Sequence, residues 1–169
     1  MKKKKEISQI KELRVFIDQK KFFEKKNFYV NKVKIYNANF SLQKNDIVLL
    51  NKGSNKKFST KEITIYNGNI FFKDNENEII AITKVKIASL FYDDLKKMNL
   101  FNLDGKVFNT AFNFYLNKDF SSSNVKEFNF KAKKLKLNIN NKHQKDKDGM
   151  INGLNIFSFF NSNNHTKYN

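Results

Sequence analysis

Lys34-Ile35-Tyr36-Asn37-Ala38-Asn39-Phe40 and Thr64-Ile65-Tyr66-Asn67-Gly68-Asn69-Ile70 are two copies of one pattern, and their reading decides the fold. Each copy leads into a polar turn and then an apolar strand, residues 47–50 after the first and 79–82 after the second. Two similar units in tandem predict a sheet assembled from repeated pieces.

On either side of these copies the apolar residues alternate with period two, which sets every second side chain on one face of a strand. Leu13, Val15 and Ile17 alternate with Arg14 and Phe16. Phe28 with Val30, and Val33 with Ile35, continue the pattern, with Lys32 and Lys34 facing away. It recurs at Ile63 and Ile65, Ile80 and Ile82, Val85 and Ile87, Phe112 with Phe114 and Leu116, Phe128 with Phe130, and Leu135 with Leu137 and Ile139.

Turns are expected at residues 43–46, 51–57, 73–77 and 117–124, where Asn and Asp accept the left-handed backbone that would otherwise call for Gly. The spacing predicts a mainly β fold, an antiparallel meander forming a curved, groove-like sheet. One or two short helices are expected, at residues 19–26 and 93–98. The stretch Ile7, Ile10, Leu13, Ile17 fits helical spacing as well as strand spacing.

The chain divides into a basic N-terminal segment over 1–9, a sheet region over 10–140, a charged linker over 141–149, and the start of a further, truncated unit over 150–169. The last unit holds Leu154, Ile156, Phe157, Phe159 and Phe160, an apolar segment in need of a partner surface. The expectation is a fragment of a larger protein.

The 169 residues suit one domain rather than two. They carry a formal net charge of +17, with 19 Phe and neither Pro, Cys nor Trp. The codons of Lys, Asn, Ile and Phe are mainly A and T, so base composition offers a source for the bias other than function. A charge of this size points toward an anionic partner. However, Arg14 is the only guanidinium, and Arg is the side chain that reads phosphates and bases with two hydrogen bonds. Nucleic acid is therefore not the expected partner, and a basic binding module for nucleic acid or anionic surfaces is the alternative reading. Without cysteine there is no disulfide or thiolate metal site. No apolar run approaches the length needed to span a bilayer.

Catalytic constellations are missing. His143 and His165, the two histidines, fall in the charged linker and the Asn-rich tail and read as solvated. Asp93-Asp94 reads as a turn or a helix cap rather than an acid and base pair. Asp146-Lys147-Asp148-Gly149 lacks the Glu that closes a calcium loop, and Ser121-Ser122-Ser123 lacks the glycines of a nucleophile elbow. Neither catalysis, a cofactor nor a small-molecule substrate is expected.

The order of features over residues 13–18, 22–23 and 28–40, then 63–72 with Lys73-Asp74, then Leu103-Asp104-Gly105-Lys106-Val107-Phe108 with Phe112-Asn113-Phe114, resembles the AsmA-like family, related to TamB and the bridge-like lipid-transfer proteins. The resemblance covers about residues 10 to 140. It implies long curved β-sheets, a place in the bacterial cell envelope on the periplasmic side of the inner membrane, and a part in membrane homeostasis or lipid transport. It further implies phospholipid acyl chains, or neighbouring sheet units of the same protein, as partners. On that reading Ile35, Ile65, Ile82, Ile87, Phe112, Phe114 and Leu137 are the candidates for a lipid-facing groove. Core and groove share the same alternation, so an ordinary core is the competing reading of these seven.

Overall fold

The computed structural model describes residues 8–25, 28–121, 125–145, 151–160 and 165–168. The first seven residues and Asp146-Lys147-Asp148-Gly149 fall outside that range. The described residues are mainly β: one open sheet of ten strands whose spatial order is the order of the sequence. The strands are β1 (Ser8–Ile17), β2 (Val30–Gln43), β3 (Glu62–Lys73), β4 (Ile79–Asp93), β5 (Met98–Val107), β6 (Thr110–Asp119), β7 (Val125–Ala132), β8 (Leu137–Lys145), β9 (Ile151–Phe160) and β10 (His165–Tyr168). Helices α1 (Gln19–Lys25) and α2 (Lys44–Ser54) flank β2, and a 3-10 turn over Lys133–Leu135 joins β7 to β8.

Every neighbouring pair is antiparallel except β2 and β3, which are parallel. The expected mainly β, antiparallel meander is formed, with this one parallel step in it. Parallel strands cannot be joined by a tight turn and need a crossover. Residues 44–61 supply it, so residues 47–50, read above as a strand, are helical instead. The helix starts where the Asp46 carboxylate accepts the Gln43 backbone N–H at 2.8 Å, a favourable charge in the first turn. The Gln43 side chain also donates to Asn77 Oδ1 at 2.8 Å, tying the start of α2 to the β3–β4 turn.

The two sequence copies are the parallel pair itself. Ile35 lies beside Ile65, Tyr36 beside Tyr66, Asn39 beside Asn69 and Phe40 beside Ile70. The two Tyr rings stack at 5.1 Å between centroids, and Asn69 Nδ2 donates to Asn39 Oδ1 at 2.9 Å. Like residues in parallel register form such ladders because identical shapes and hydrogen-bonding groups repeat at the strand spacing. Asn37 and Asn67 share a left-handed backbone, φ 53° in both. The kink is therefore matched across the pair and the register survives it. A Cβ on Gly68 would come within 3.0 Å of the Ala38 carbonyl oxygen, which explains why the second copy carries Gly where the first carries Ala.

The helix expected over residues 19–26 is α1, started by Asp18 Oδ1 accepting the Lys21 N–H at 3.1 Å. The one expected over 93–98 is a hairpin turn. Asp93 Oδ1 accepts the N–H groups of Leu95 and Lys96, each at 3.0 Å, and Lys97 closes the turn with φ 55°. The 73–77 turn is formed as read, with Asp74 Oδ1 accepting from Glu76 and Glu78 and Asn77 at φ 70°.

Two boundaries are corrected. Residues 141–145 are no linker but the end of β8, hydrogen-bonded to β7 on one side and β9 on the other. The apolar segment beyond them is β9, which continues the same sheet, and His165 belongs to β10 rather than to an irregular tail. The sequence hid this because Asn, Lys and Gln occupy both faces of the strand over residues 140–145. Their backbone ladder needs no apolar alternation.

The matched kinks make a direct prediction. Asn67→Gly should change stability by only a few tenths of a kcal/mol, while Asn67→Val should cost about 1–2 kcal/mol, because a β-branched residue resists the left-handed region. Urea unfolding of the two variants checks this.

Candidate functional site: an apolar face

Directly paired residues point to the same side of a sheet, so the register sorts the side chains into rows. One row runs Leu13, Ile35, Ile65, Ala88, Leu103, Phe114, Phe130, Ile139, Phe157, apolar through nine successive strands. The next row on that face runs Val15, Val33, Ile63, Leu90, Phe101, Leu116, Phe128, and then turns polar at Asn141 and Asn155. Beyond the first row lie Val85, Gly105 and Phe112, with Ala132, Leu137 and Phe159 continuing toward β9. Val85, Ala88, Leu103, Phe112 and Ala132 are its buried centre.

Large rings lie over small neighbours here. The Phe112 ring covers Gly105, approaching to 3.4 Å the place a Cβ would take, and stacks on Phe130 at 5.3 Å. Phe114 meets Phe101 edge-on at 5.9 Å and Phe128 at 6.1 Å. The middle of the face is thus sheltered by its own side chains, while its ends are open: Leu13 is 55% exposed and Phe159 61%.

Among the described residues, the side chains packed against the buried centre all come from the strands, while the end of α2 and the loop after it lie over Asn99 and Lys126 at one end of the face. Each strand contacts its sheet neighbours, α2 touches β2, and the 3-10 turn touches β6 and β8. Ile47 and Val48 of α2 are about half exposed, so these two side chains of the helix do not seal the face.

The opposite face is polar. Tyr36, Tyr66, Ile87, Asp104, Asn113, Lys131, Asn138 and Ser158 form one of its rows. Asn113 donates to Asp104 at 2.5 Å and Asn129 to Asn138 at 3.0 Å, while Arg14 lies over the Tyr36 ring at 4.8 Å.

Of the seven residues read as a groove, Ile35, Ile65, Phe112, Phe114 and Leu137 share the apolar face. Ile82 and Ile87 do not: Ile82 pairs with Phe71, and Ile87 with Tyr66 and Asp104, on the polar side. For Ile87 the physical reason is a bulge in β4 between Val85 and Ile87, which inserts a residue and reverses the phase of the alternation; Ile82, before the bulge, faces away from Val85 by the alternation itself. Thr83, Val85, Ala88 and Leu90 take the inward places. Sequence reasoning missed Ala88 and Leu103, whose signal was small size in one case and isolation in the other.

One end of the face is closed by the chain leaving α2. Tyr92, Asn99, Lys118, Lys126 and His143 form a polar row there, two residues beyond Leu90, Phe101, Leu116, Phe128 and Asn141. Asn99 is fully buried and anchors the crossing loop: its Oδ1 accepts from the Phe58 N–H at 2.8 Å, and its Nδ2 donates to the Lys56 carbonyl at 2.7 Å. Lys126 Nζ donates to Ser54 Oγ at 2.8 Å. Burial, and then the charge of Lys118 across the strand gap, hold the Lys126 ammonium below the usual lysine range. His143, read above as solvated, lies in β8 with its ring over Gly153, in the space a Cβ would need. Among the described residues its buried Nδ1 has no hydrogen-bond partner, and neither has the buried hydroxyl of Tyr92.

Among the described residues no group of three or more His, Cys, Asp or Glu is placed to hold a metal ion, and no helix is long and apolar enough to cross a membrane. No protein family, curated protein or solved structure matches the chain.

A lysine whose folded-state value lies below its unfolded one is charged in both states at neutral pH, so its cost to folding is fully present there. The cost is lost as pH rises through the folded value toward 10.5. The stability of the wild type relative to Lys126→Met should therefore increase between neutral pH and about pH 10, as measured by urea unfolding of both proteins at each pH.

Proposed function

We propose that the protein is a non-enzymatic sheet unit of AsmA-like type that holds phospholipid acyl chains against its apolar face, in the service of membrane homeostasis or lipid transport in the cell envelope. One observation carries the reading: an apolar row continuous through nine strands, whose buried centre is packed, among the described residues, by strand side chains alone. Apolar surface of this extent on a protein ordinarily marks a binding surface. The order of strands that resembles the AsmA-like family supports the same reading. Neighbouring sheet units of a larger protein would extend such a surface along the strand order, since β1 and β10 are the edges of the sheet.

The chemistry required is modest. Acyl chains need contact with rings and branched side chains, and each methylene moved out of water contributes about 0.8 kcal/mol. Phe101, Phe114, Phe128 and Phe130 offer such contact near the middle of the sheet, and Leu13 and Phe157 at its ends.

Photoactivatable acyl chains test the proposal. Wild-type protein should crosslink to them through residues of the apolar rows. Phe114→Asp should lower that yield by about tenfold, through the cost of setting a carboxylate against hydrocarbon, while unfolding stays cooperative. Undiminished crosslinking in the folded variant would remove Phe114 from the contact surface. Loss of the cooperative transition would assign Phe114 to a closed interior and count against the reading.

A further inference from the structure

The two edges of the sheet are built differently. β10 ends it with four residues, whereas β1 presents ten, and among the described residues no strand pairs with its outer side. An open edge is a row of unpaired backbone donors and acceptors, a template for another strand. Proteins that keep such an edge single shorten it, cover it, or place Pro or an inward charge on it. β1 has no Pro, and its residues in the apolar rows, Leu13 and Val15, are 55% and 50% exposed.

The charges of β1 select the strand that fits it. Glu12 and Arg14 flank Leu13 and point to the polar face, where they form an ion pair along the strand with both side chains about half exposed. A second copy turned about a twofold axis through Leu13, perpendicular to the sheet, would run antiparallel to the first. Leu13 then lies opposite the partner's Leu13, and each Glu12 opposite the partner's Arg14. Directly opposite residues share a face, so the four charges meet on the polar side and each carboxylate lies between two guanidinium groups. Lys11 falls opposite Val15, where its long stem can lie along the apolar side chain and carry the ammonium to water. Neighbouring registers fail. Moving the axis by one residue sets Glu12 against Glu12 or Arg14 against Arg14, and moving it by half a residue sets apolar positions against polar ones.

We propose that β1 pairs with β1 of a second copy in this register, making the protein a twofold dimer joined edge to edge. The row from Phe157 to Leu13 then continues through the partner's Leu13, and the apolar faces of both copies lie on one side. β10 is left as the edge toward any further sheet unit. The dimer does not depend on what the apolar face holds, so it stands or falls separately from the acyl-chain reading.

Sedimentation equilibrium of the whole chain tests it. A contact one strand wide is a small interface, so dimer should be well populated at about 0.5 mM and dissociate on dilution. Glu12→Arg should weaken it about tenfold, because two attractive pairs become repulsive, and Arg14→Glu should do the same. Mixed in equal amounts, the two variants should associate again, since every charge of one then faces its opposite on the other. The variant carrying both substitutions should also dimerise. Because the chain has no cysteine, Leu13→Cys sets a single thiol at the axis, where opposite Cα atoms of paired strands lie about 5 Å apart, within disulfide range. Under mild oxidation it should crosslink, and Leu95→Cys, on the most exposed of the large apolar side chains described, should crosslink about tenfold more slowly. All four positions are solvent-accessible, and urea unfolding of each variant checks its fold. A monomer at every concentration overturns the proposal. So does association that ignores both charge reversals and leaves Leu13→Cys uncrosslinked, which places the contact on another surface, and so do open-ended oligomers, which join β1 to β10 of the next copy.

Discussion

A sheet whose apolar centre is packed by its own strands finds its apolar contact along its rows, from each strand to the next. This constraint shapes the protein. In a two-layer domain an inward side chain touches neighbours from the facing layer, and a weak cross-strand pair is compensated from above. Here Leu103 has Ala88 and Phe114 as its row partners, and the same holds for each step from β1 to β9. Rings over Gly and Ala, as with Phe112 over Gly105, are the means by which such a sheet shelters its middle. Flat contacts of equal size would leave gaps between rows, whereas alternating large and small residues lets the rows interlock.

The parallel pair is where the rows are joined. The β1–β2 hairpin and the meander from β3 to β9 are each built of local antiparallel pairs, and the β2–β3 ladder is the strand pairing that connects them. Its register is held by matched features rather than by a short loop: the Tyr stack, the Asn pair and the shared left-handed kink. The consequence for function is continuity. A slip of one residue between β2 and β3 would turn Ile35 away from Ile65 and end the apolar row after two strands instead of nine. The polar end of the face depends on the same crossover, because α2 brings Ser54 and the loop that Asn99 anchors across β4, β5 and β6.

Much of this was legible in the sequence. The alternation of Phe112, Phe114 and Leu116, and of Phe128 and Phe130, carries the strands and their inward sides directly. The doubled motif announces that two strands are alike. It does not say that they are parallel, because a repeat fixes similarity and not direction. That required the helix over residues 44–54, which was obscured by an apolar run as short as a strand and by a start signal, Asp46, that also suits a turn. Ile87 was misplaced because a bulge leaves no mark in composition: Lys86 is as ordinary in a strand as in a bulge. The end of β8 was hidden for the opposite reason, since a strand satisfied by its backbone ladder and by Asn side chains shows no hydrophobic period. The polar row of Tyr92, Lys118, Lys126 and His143 could not be read at all, because its members come from four strands and are adjacent only through register.

The crossover has a further consequence, in the order of assembly. Hairpins close over a few residues and form on the microsecond scale, whereas pairing β2 with β3 requires the whole of residues 44–61 to be brought back on itself. Contacts distant in sequence are the slow ones. The meander from β3 onward is thus able to form as a local chain of hairpins, and the β1–β2 hairpin joins it as a preformed unit in a single docking step. What the Tyr stack and Asn pair provide, seen kinetically, is a recognition surface by which one part of the chain identifies its place beside another.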